Sequence, residues 1–396
     1  AISFSASDRI QVCVRKRPLS EKEMAGSQAD VIHVGGAEPA LKVLEYKKRL
    51  DLSEYVEQHD FIFDEVLSEA CSNKDVYQRT TRELVEYVCK EAGKATVFAY
   101  GQTGAGKTYT MMGGKSQPGL YMSAAQDIFR MRDQAERDGT QVYASFFEIY
   151  GGKIFDLLNS RHACVKREDG RQNVLIRGLT EHVISSAEEL MQAIGWGHEA
   201  RSRASTDANI DSSRSHAILQ VCLRKGGPEG KNVGKLSFID LAGSERASDT
   251  GRNPDRTRRL EAAEINKSLL ALKECIRALA EGQKHIPFRG SVLTSVLKDS
   301  FIGNCKTVMI ANVAPNQGSC EHTMNTLRYA DRVKQIKKNA TLIAEDAASD
   351  LLLEERFAAL DKLAASGSRG MGSLSQRSAR SAAVAGKGDA TLAGKG

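Results

Sequence analysis

The chain has 396 residues, 41% hydrophobic and 27% charged, with a formal net charge of +6 and a pI near 8.8. That is ordinary globular composition, enough to bury a sizeable core and too apolar for a wholly disordered chain. No run of about 18 apolar residues exists, so no transmembrane helix is predicted, and the polar start at Ala1–Arg9 lacks the apolar stretch of a signal peptide.

In chain order, Ile10–Val14 is the first predicted strand. Ala95–Tyr100, Val142–Ile149, Lys235–Asp240 and Thr307–Val313 follow as further short runs rich in strand-favouring types. Helical stretches lie between several of them, and this alternation predicts an α/β domain with a mainly parallel sheet covered on both faces. The clearest helix runs from about Arg258 to Glu281. Ala262, Ile265, Leu269, Leu272, Ile276 and Leu279 make its apolar stripe, Lys267, Glu274, Arg277 and Glu281 lie opposite, and Gly282 ends it. The expected organisation is a flank at 1–9, a domain at 10–340, a short helix at 341–365 and a disordered tail at 366–396. That tail, rich in Gly, Ser and Ala with scattered Arg and Lys, cannot bury enough apolar surface to offset its ordering entropy. The eight cysteines are dispersed, with no C-x-x-C pair, and read as reduced thiols of a cytosolic chain.

Gly101, Gln102, Thr103, Gly104, Ala105, Gly106, Lys107 and Thr108 spell G-x-x-x-x-G-K-[ST] directly after a predicted strand. The glycines let backbone N–H groups wrap phosphate oxygens. Lys107 is placed to reach the β- and γ-phosphates, and Thr108 to put its hydroxyl on Mg²⁺. A guanine-reading [NT]-K-x-D segment is missing: Asn266-Lys267-Ser268 is followed by Leu269 where Asp is needed. This favours ATP.

A nucleotide switch needs segments that sense the γ-phosphate. Asp240 ends a predicted buried strand and can approach Mg²⁺ through water, and Gly243 has an N–H to offer the phosphate. Asn209 to His216 is dense in hydroxyls, so Ser212 and Ser213 are candidates for the attacking water and the metal. Arg214 and Glu245 are opposite charges able to pair. On spacing alone each segment reads as a plain loop.

Taken together, Arg15-Lys16-Arg17-Pro18, the phosphate loop, NIDSSRSH and DLAGSE resemble the kinesin family over about residues 8–340. The resemblance implies a three-layer P-loop fold, a central mixed sheet with helices on both faces. It implies that Arg15 and Pro18 flank the adenine, with Arg17 in the same binding segment and Tyr109 stacking. Asn209, Ser212, Ser213 and Arg214 would form one switch, and Asp240, Gly243 and Glu245 the other. An Arg214–Glu245 bridge would hold the attacking water, and Glu245 would help relay its proton.

Within the family the segment Glu261–Leu279, with Lys273-Glu274-Cys275, is similar to the kinesin-13 class, whose members depolymerise microtubules. The class also carries a Lys-Val-Asp loop, and Arg49-Leu50-Asp51 stands in its place here. Arg289 is followed by Gly290 and Val292 where kinesins generally have an acidic residue and a Lys. The resemblance therefore implies tubulin contacts at Arg49, Leu50, Asp51, Lys267, Lys273, Glu274, Cys275, Arg277 and Arg289. It further implies a preference for curved protofilament ends, ATP and Mg²⁺ as cofactors, and a place on cytoskeletal microtubules, spindle and flagellar ones included. Arg252, Arg256, Arg258 and Arg259 add a basic cluster facing acidic tubulin. A translocating kinesin is the alternative; nucleic-acid and membrane partners are not expected.

Overall fold

In the computed structural model, which describes residues 10–36, 39–114, 116–134, 139–169, 174–203, 212–228, 230–245, 256–302 and 305–335, the apolar runs become strands of one mixed sheet. In chain order the strands are β1 (Ile10–Lys16), β2 (Ile32–Val34), β3 (Ala40–Lys48), β4 (Glu54–Ile62), β5 (Glu65–Leu67), β6 (Lys94–Tyr100) and β7 (Thr140–Tyr150). They continue as β8 (Lys153–Asp156), β9 (His162–Glu168), β10 (Val174–Arg177), β11 (His182–Ile184), β12 (His216–Lys225), β13 (Lys231–Asp240) and β14 (Cys305–Val313). The helices are α1 (Glu21–Ala25), α2 (Asn73–Val76), α3 (Arg82–Glu91), α4 (Lys107–Met112), α5 (Leu120–Gln134), α6 (Ala187–Arg203), α7 (Arg256–Ala280) and α8 (Val292–Phe301). A ninth, α9, covers 320–335.

The main sheet runs β10-β9-β8-β7-β12-β13-β6-β14-β1-β5, with β11 added beside β7. Parallel pairing is confined to β13-β6-β14-β1-β5, the half that carries the phosphate loop. From β13 outward to β10 the pairing is antiparallel. The sheet is mixed, as the family resemblance implies, but the mainly parallel sheet predicted from the strand–helix alternation needs correction: among the described residues four of its pairings are parallel and six antiparallel, and the two types are segregated.

Alternation along each strand divides the core in two. Val97 and Ala99 of β6 meet Leu84, Val88, Leu120, Ile128 and Ile194 of α3, α5 and α6 on one face. Phe98 and Tyr100 meet Leu269, Leu272, Ile276, Leu297 and Leu327 of α7, α8 and α9 on the other. A strand buried on both faces reads as an unbroken apolar run, which is why Ala95–Tyr100 is so plain in the sequence.

The α7 stripe seats as its periodicity requires: Leu269, Leu272 and Ile276 are buried, while Ile265 and Leu279 pack at the edge. The helix stops with Gln283 donating to the Ala278 carbonyl and Gly282 to that of Leu279, a Schellman arrangement that satisfies two end carbonyls. Its apolar-face counterpart at position 275 also turns inward, since 272, 275, 276 and 279 share one side at 3.6 residues per turn.

A second sheet, β2-β3-β4, stands apart from the first. Its β3–β4 hairpin keeps strict register from Ala40↔Ile62 to Lys48↔Glu54. One face carries Glu45, Lys47, Glu57 and His59, where Lys47 Nζ lies 2.5 Å from Glu57 and 3.1 Å from Glu45. The helix expected at 341–365 and the tail at 366–396 lie outside the described residues.

Candidate functional site

The phosphate loop hangs between the end of β6 and the start of α4. Gly101 is indispensable to it, because a Cβ there would collide with the Asn312 carbonyl at the end of β14. Gly106 adopts φ +95° as the loop turns into α4. Lys107 is buried and its ammonium donates to the carbonyls of Gly101 and Gln102, both at 2.9 Å. Thr108 Oγ1 donates to Asp240 Oδ2 at 2.8 Å, which fixes the loop to the end of β13. The other carboxylate oxygen of Asp240 is buried and has no hydrogen-bond partner among the described residues. Buried polar atoms are ordinarily satisfied. A carboxylate oxygen and a hydroxyl beside it fit a hard, oxygen-seeking divalent cation.

Arg15, Arg17 and Tyr109 flank the loop in distinct ways. Arg15 is buried, donates to Thr110 Oγ1 at 2.8 Å and lies with its guanidinium carbon 5.5 Å from the Tyr109 ring centre. Asn312 Nδ2 donates to the same Thr110 hydroxyl at 2.8 Å. Tyr109 itself remains half exposed, leaving an aromatic face available for a base. Arg17 instead ties the loop to α1: it donates to the Gly104 carbonyl at 2.8 Å, to the Pro18 carbonyl at 2.7 Å and to both carboxylate oxygens of Glu23. Arg17 thus holds the loop from outside rather than offering a vacant guanidinium. Glu23 also caps α1 through Ser20. Its carboxyl is driven from 4.5 to about 2, first by the Arg17 hydrogen bond. Gln102 Nε2 reaches Ser319 Oγ at 2.9 Å, and Ala105 is buried.

The two switch segments meet through consecutive backbone donors. Ala242 N–H donates to His216 Nδ1 (3.0 Å), Gly243 N–H to the Ser213 carbonyl (2.8 Å) and Ser244 N–H to the Gly101 carbonyl (3.1 Å). A Cβ at position 243 would overlap the Glu245 carboxylate and the Thr103 hydroxyl, so any larger residue there would push these two side chains from their present contact. Ser212, Ser213 and Arg214 form a single 3₁₀ turn before β12. Asn209 lies outside the described residues.

Two expectations differ from the arrangement in this structure. The Arg214–Glu245 bridge is not made in this structure. Arg214 Nη1 lies 3.5 Å from Glu261 Oε2 on α7, and the Glu245 carboxylate accepts from the backbone N–H of Thr103 (2.8 Å) and from its hydroxyl. Each charge has found a nearer partner, and the Gly243 N–H is likewise taken by Ser213 rather than free for a phosphate. Sequence reasoning missed Glu261, Asn312 and Glu23. The i, i+3 spacing of Ser20 and Glu23, a capping-box signature, was the available signal for the last.

The second difference concerns Cys275. It is fully buried within the α7 core stripe, and burial, then the charge of Glu274, push its thiol to about 11. It cannot touch a docked protein. Its neighbours divide: Lys273 turns toward α9, 5.8 Å from the Tyr329 ring centre, while Glu274 and Arg277 pair at 2.5 Å on the outer side. Lys267 is exposed and pairs with Glu264 at 3.4 Å, and Arg289 pairs with Glu168 at 2.7 Å. Such exposed pairs add little to stability and exchange readily with a charged partner. Gly290 brings the Arg289 turn against Ala271 of α7, and Val292 opens α8 as part of the core edge. Of the basic cluster, Arg252 lies outside the described residues and Arg256, Arg258 and Arg259 form the first turn of α7.

Arg49-Leu50-Asp51 is the tip of the β3–β4 hairpin. Arg49 N–H donates to the Ser53 carbonyl, Asp51 Oδ1 accepts from the N–H and hydroxyl of Ser53, and Leu50 projects fully into solvent. No helix among the described residues is long and apolar enough to cross a membrane.

Residues 15–336 match the family described as "Kinesin motor domain". Among curated proteins, the chain is 53% identical over 342 residues to a mouse protein, kinesin-like protein KIF24, covering 86% of this chain and 25% of that one. It is 51% identical over 358 residues to kinesin-like protein KIN-13B of Arabidopsis thaliana, covering 89% and 51%. Against kinesin-like protein KIN-13A of Oryza sativa subsp. japonica it is 52% identical over 350 residues, covering 84% and 42%. The chain thus spans a quarter to about half the length of these relatives.

Proposed function

The chain belongs to the kinesin motor family, in its kinesin-13 class, and from that premise we propose that it hydrolyses ATP with Mg²⁺ and uses the energy to disassemble microtubules from curved protofilament ends. The observation that carries the first half is the meeting of loop and switches: Thr108 on Asp240, Gly243 on Ser213 and Ser244 on Gly101. They support the reading because, among the described residues, the loop and both switch segments lie within hydrogen-bond reach of one another.

ATP in the loop draws Lys107 from the carbonyls of Gly101 and Gln102 to the phosphates, a charge-assisted bond replacing two neutral acceptors. Thr108, Ser213 and Asp240 would hold Mg²⁺, which neutralises charge developing on the β- and γ-phosphates. Gly243 exchanges Ser213 for the γ-phosphate. Arg214 leaves Glu261, Glu245 leaves Thr103, and the two pair to orient the attacking water with Ser212. Because Glu261 belongs to α7, closing the site releases a tether on that helix. The nucleotide state and the α7 position are then linked, and tubulin that favours one α7 position favours one switch state.

The outer side of α7, with Lys267, Glu274 and Arg277, the neighbouring Arg289 and the Arg49–Asp51 tip form the tubulin-binding set, with Lys273 at its margin. Tighter binding to curved than to straight tubulin would bend protofilament ends. Stabilised microtubules incubated with the chain and ATP test this: shortening from the ends supports depolymerisation, and directional gliding without shortening would replace it with the translocating alternative.

A further inference from the structure

His216 has one side chain that touches both the backbone of the second switch segment, at Ala242, and α7, at Ser268. Its Nδ1 accepts the Ala242 N–H at 3.0 Å, so the ring proton resides on Nε2, 2.8 Å from Ser268 Oγ of α7. Ser268 in turn donates to the Ile265 carbonyl at 2.7 Å, so its oxygen is oriented to accept from the ring. Both side chains are buried. The imidazole therefore spans from the backbone beside Gly243 to the middle of the helix assigned to tubulin.

The base of this bridge is unusually well anchored. His216 opens β12 in register with Ile149 of β7. The preceding Ser215 donates to buried Glu148 at 2.7 Å, while Arg201 donates to the Ser215 hydroxyl (2.9 Å) and carbonyl (2.8 Å). Arg161 engages the second oxygen of Glu148. A buried, charge-assisted network of this kind resists displacement, because leaving any member unpaired is costly. With its base fixed, the ring can follow a shift of Ala242 or of Ser268 only by losing or moving the bond at its other end. Burial, reinforced by the positive charges of Arg201 and Lys107, holds the imidazole near a pKa of 3. At neutral pH it keeps one donor and one acceptor, as the two contacts require.

We propose that His216 is a positioning residue that couples the Ala242–Ser244 segment to α7 through Ser268, so that tubulin bound to α7 accelerates hydrolysis by way of this bridge. The inference rests on the reading that α7 meets tubulin. Coupling between sites is reciprocal, so the same bridge transmits nucleotide state outward to the helix.

The test is steady-state ATPase of the full chain with and without tubulin, for wild type, Ser268→Ala, Ser268→Thr and His216→Asn. Asparagine keeps an acceptor near the Nδ1 position and loses the reach to Ser268. Threonine keeps the hydroxyl, with an Oγ1 suited to bonding the preceding turn. Ser268→Ala and His216→Asn are expected to keep basal turnover within about twofold, yet to lose at least about fivefold of the tubulin stimulation. Ser268→Thr is expected to restore it, and the Ser268→Ala, His216→Asn double variant to be no worse than either single. A wild type that tubulin does not stimulate would end the functional reading itself. A stimulated wild type with an equally stimulated Ser268→Ala overturns the bridge, as does a parallel fall in basal and stimulated rates. Should His216→Asn fail to fold, the single hydroxyl of Ser268 decides the matter.

Discussion

Around the phosphate loop, Lys107 donates to Gly101 and Gln102, Arg17 to Gly104, and Thr103 to Glu245, so backbone and side chains fix one another. At the β3–β4 tip, a turn tied by Asp51 and Ser53 holds Leu50 entirely in solvent. The first region is shaped by internal bonds that a ligand must exchange; the second has almost nothing to exchange and everything to gain from a partner. Substitutions should accordingly act on nucleotide chemistry and fold at the loop, and on association alone at the tip.

The largest expected effect is at Lys107. Lys107→Ala removes the charged donor that two or three phosphate oxygens would share, each such bond contributing about 1.5–3 kcal/mol. Affinity for ATP should fall about 100-fold or more, measured by titration with a fluorescent nucleotide analogue. Retained affinity would break the comparison at its root. Next comes Glu245→Ala, expected to bind nucleotide but to turn it over on the order of 100-fold more slowly. Single-turnover hydrolysis measures this, and a near-normal rate would remove Glu245 from the mechanism.

How these residues were legible differs in an instructive way. The loop is written in glycines whose backbone freedom nothing else supplies, and β6 in an apolar run that only a doubly buried strand explains. The α7 stripe follows from its period, and the same period places Cys275 inward beside Leu272 and Ile276. Reading 275 as a surface contact set motif above geometry, and the geometry prevailed. Partner choice was not legible. Sequence alone offered Glu245 as the partner of Arg214, and only the fold brings Glu261 of α7 to it. The antiparallel half of the sheet was equally hidden, because strand order depends on which edges meet rather than on any one strand's composition.

A smaller effect sharpens the loop side of the comparison. Glu23 is held near 2, against an ordinary 4.5, chiefly by its bond to Arg17. A carboxyl whose pKa is lowered on folding contributes its stabilisation fully above about pH 4.5, and loses it as pH falls toward 2. Glu23→Gln is expected to cost about 1–3 kcal/mol at pH 7, with the gap to wild type narrowing as acid is added. Thermal melts at a series of pH values measure it; a gap constant with pH would mean that the charge is not what holds Arg17 to the loop. Because Arg17 also grips the Gly104 carbonyl, KM for ATP should rise more than kcat falls.

The smallest effect on the fold belongs to the tip, and there smallness is the point. Leu50 buries nothing in the free chain, so Leu50→Ala should change stability by no more than about 0.5 kcal/mol. If the tip is a contact made only on tubulin, the same change should slow microtubule end-shortening severalfold while the melting temperature stays put. Asp51→Ala makes a useful companion, because Asp51 ties the turn through Ser53. It loosens the presentation of Leu50 without touching its side chain, and should give an intermediate loss. Equal shortening by all three proteins would mean that the hairpin projects for some other reason, and that α7 and its neighbours grip tubulin without it.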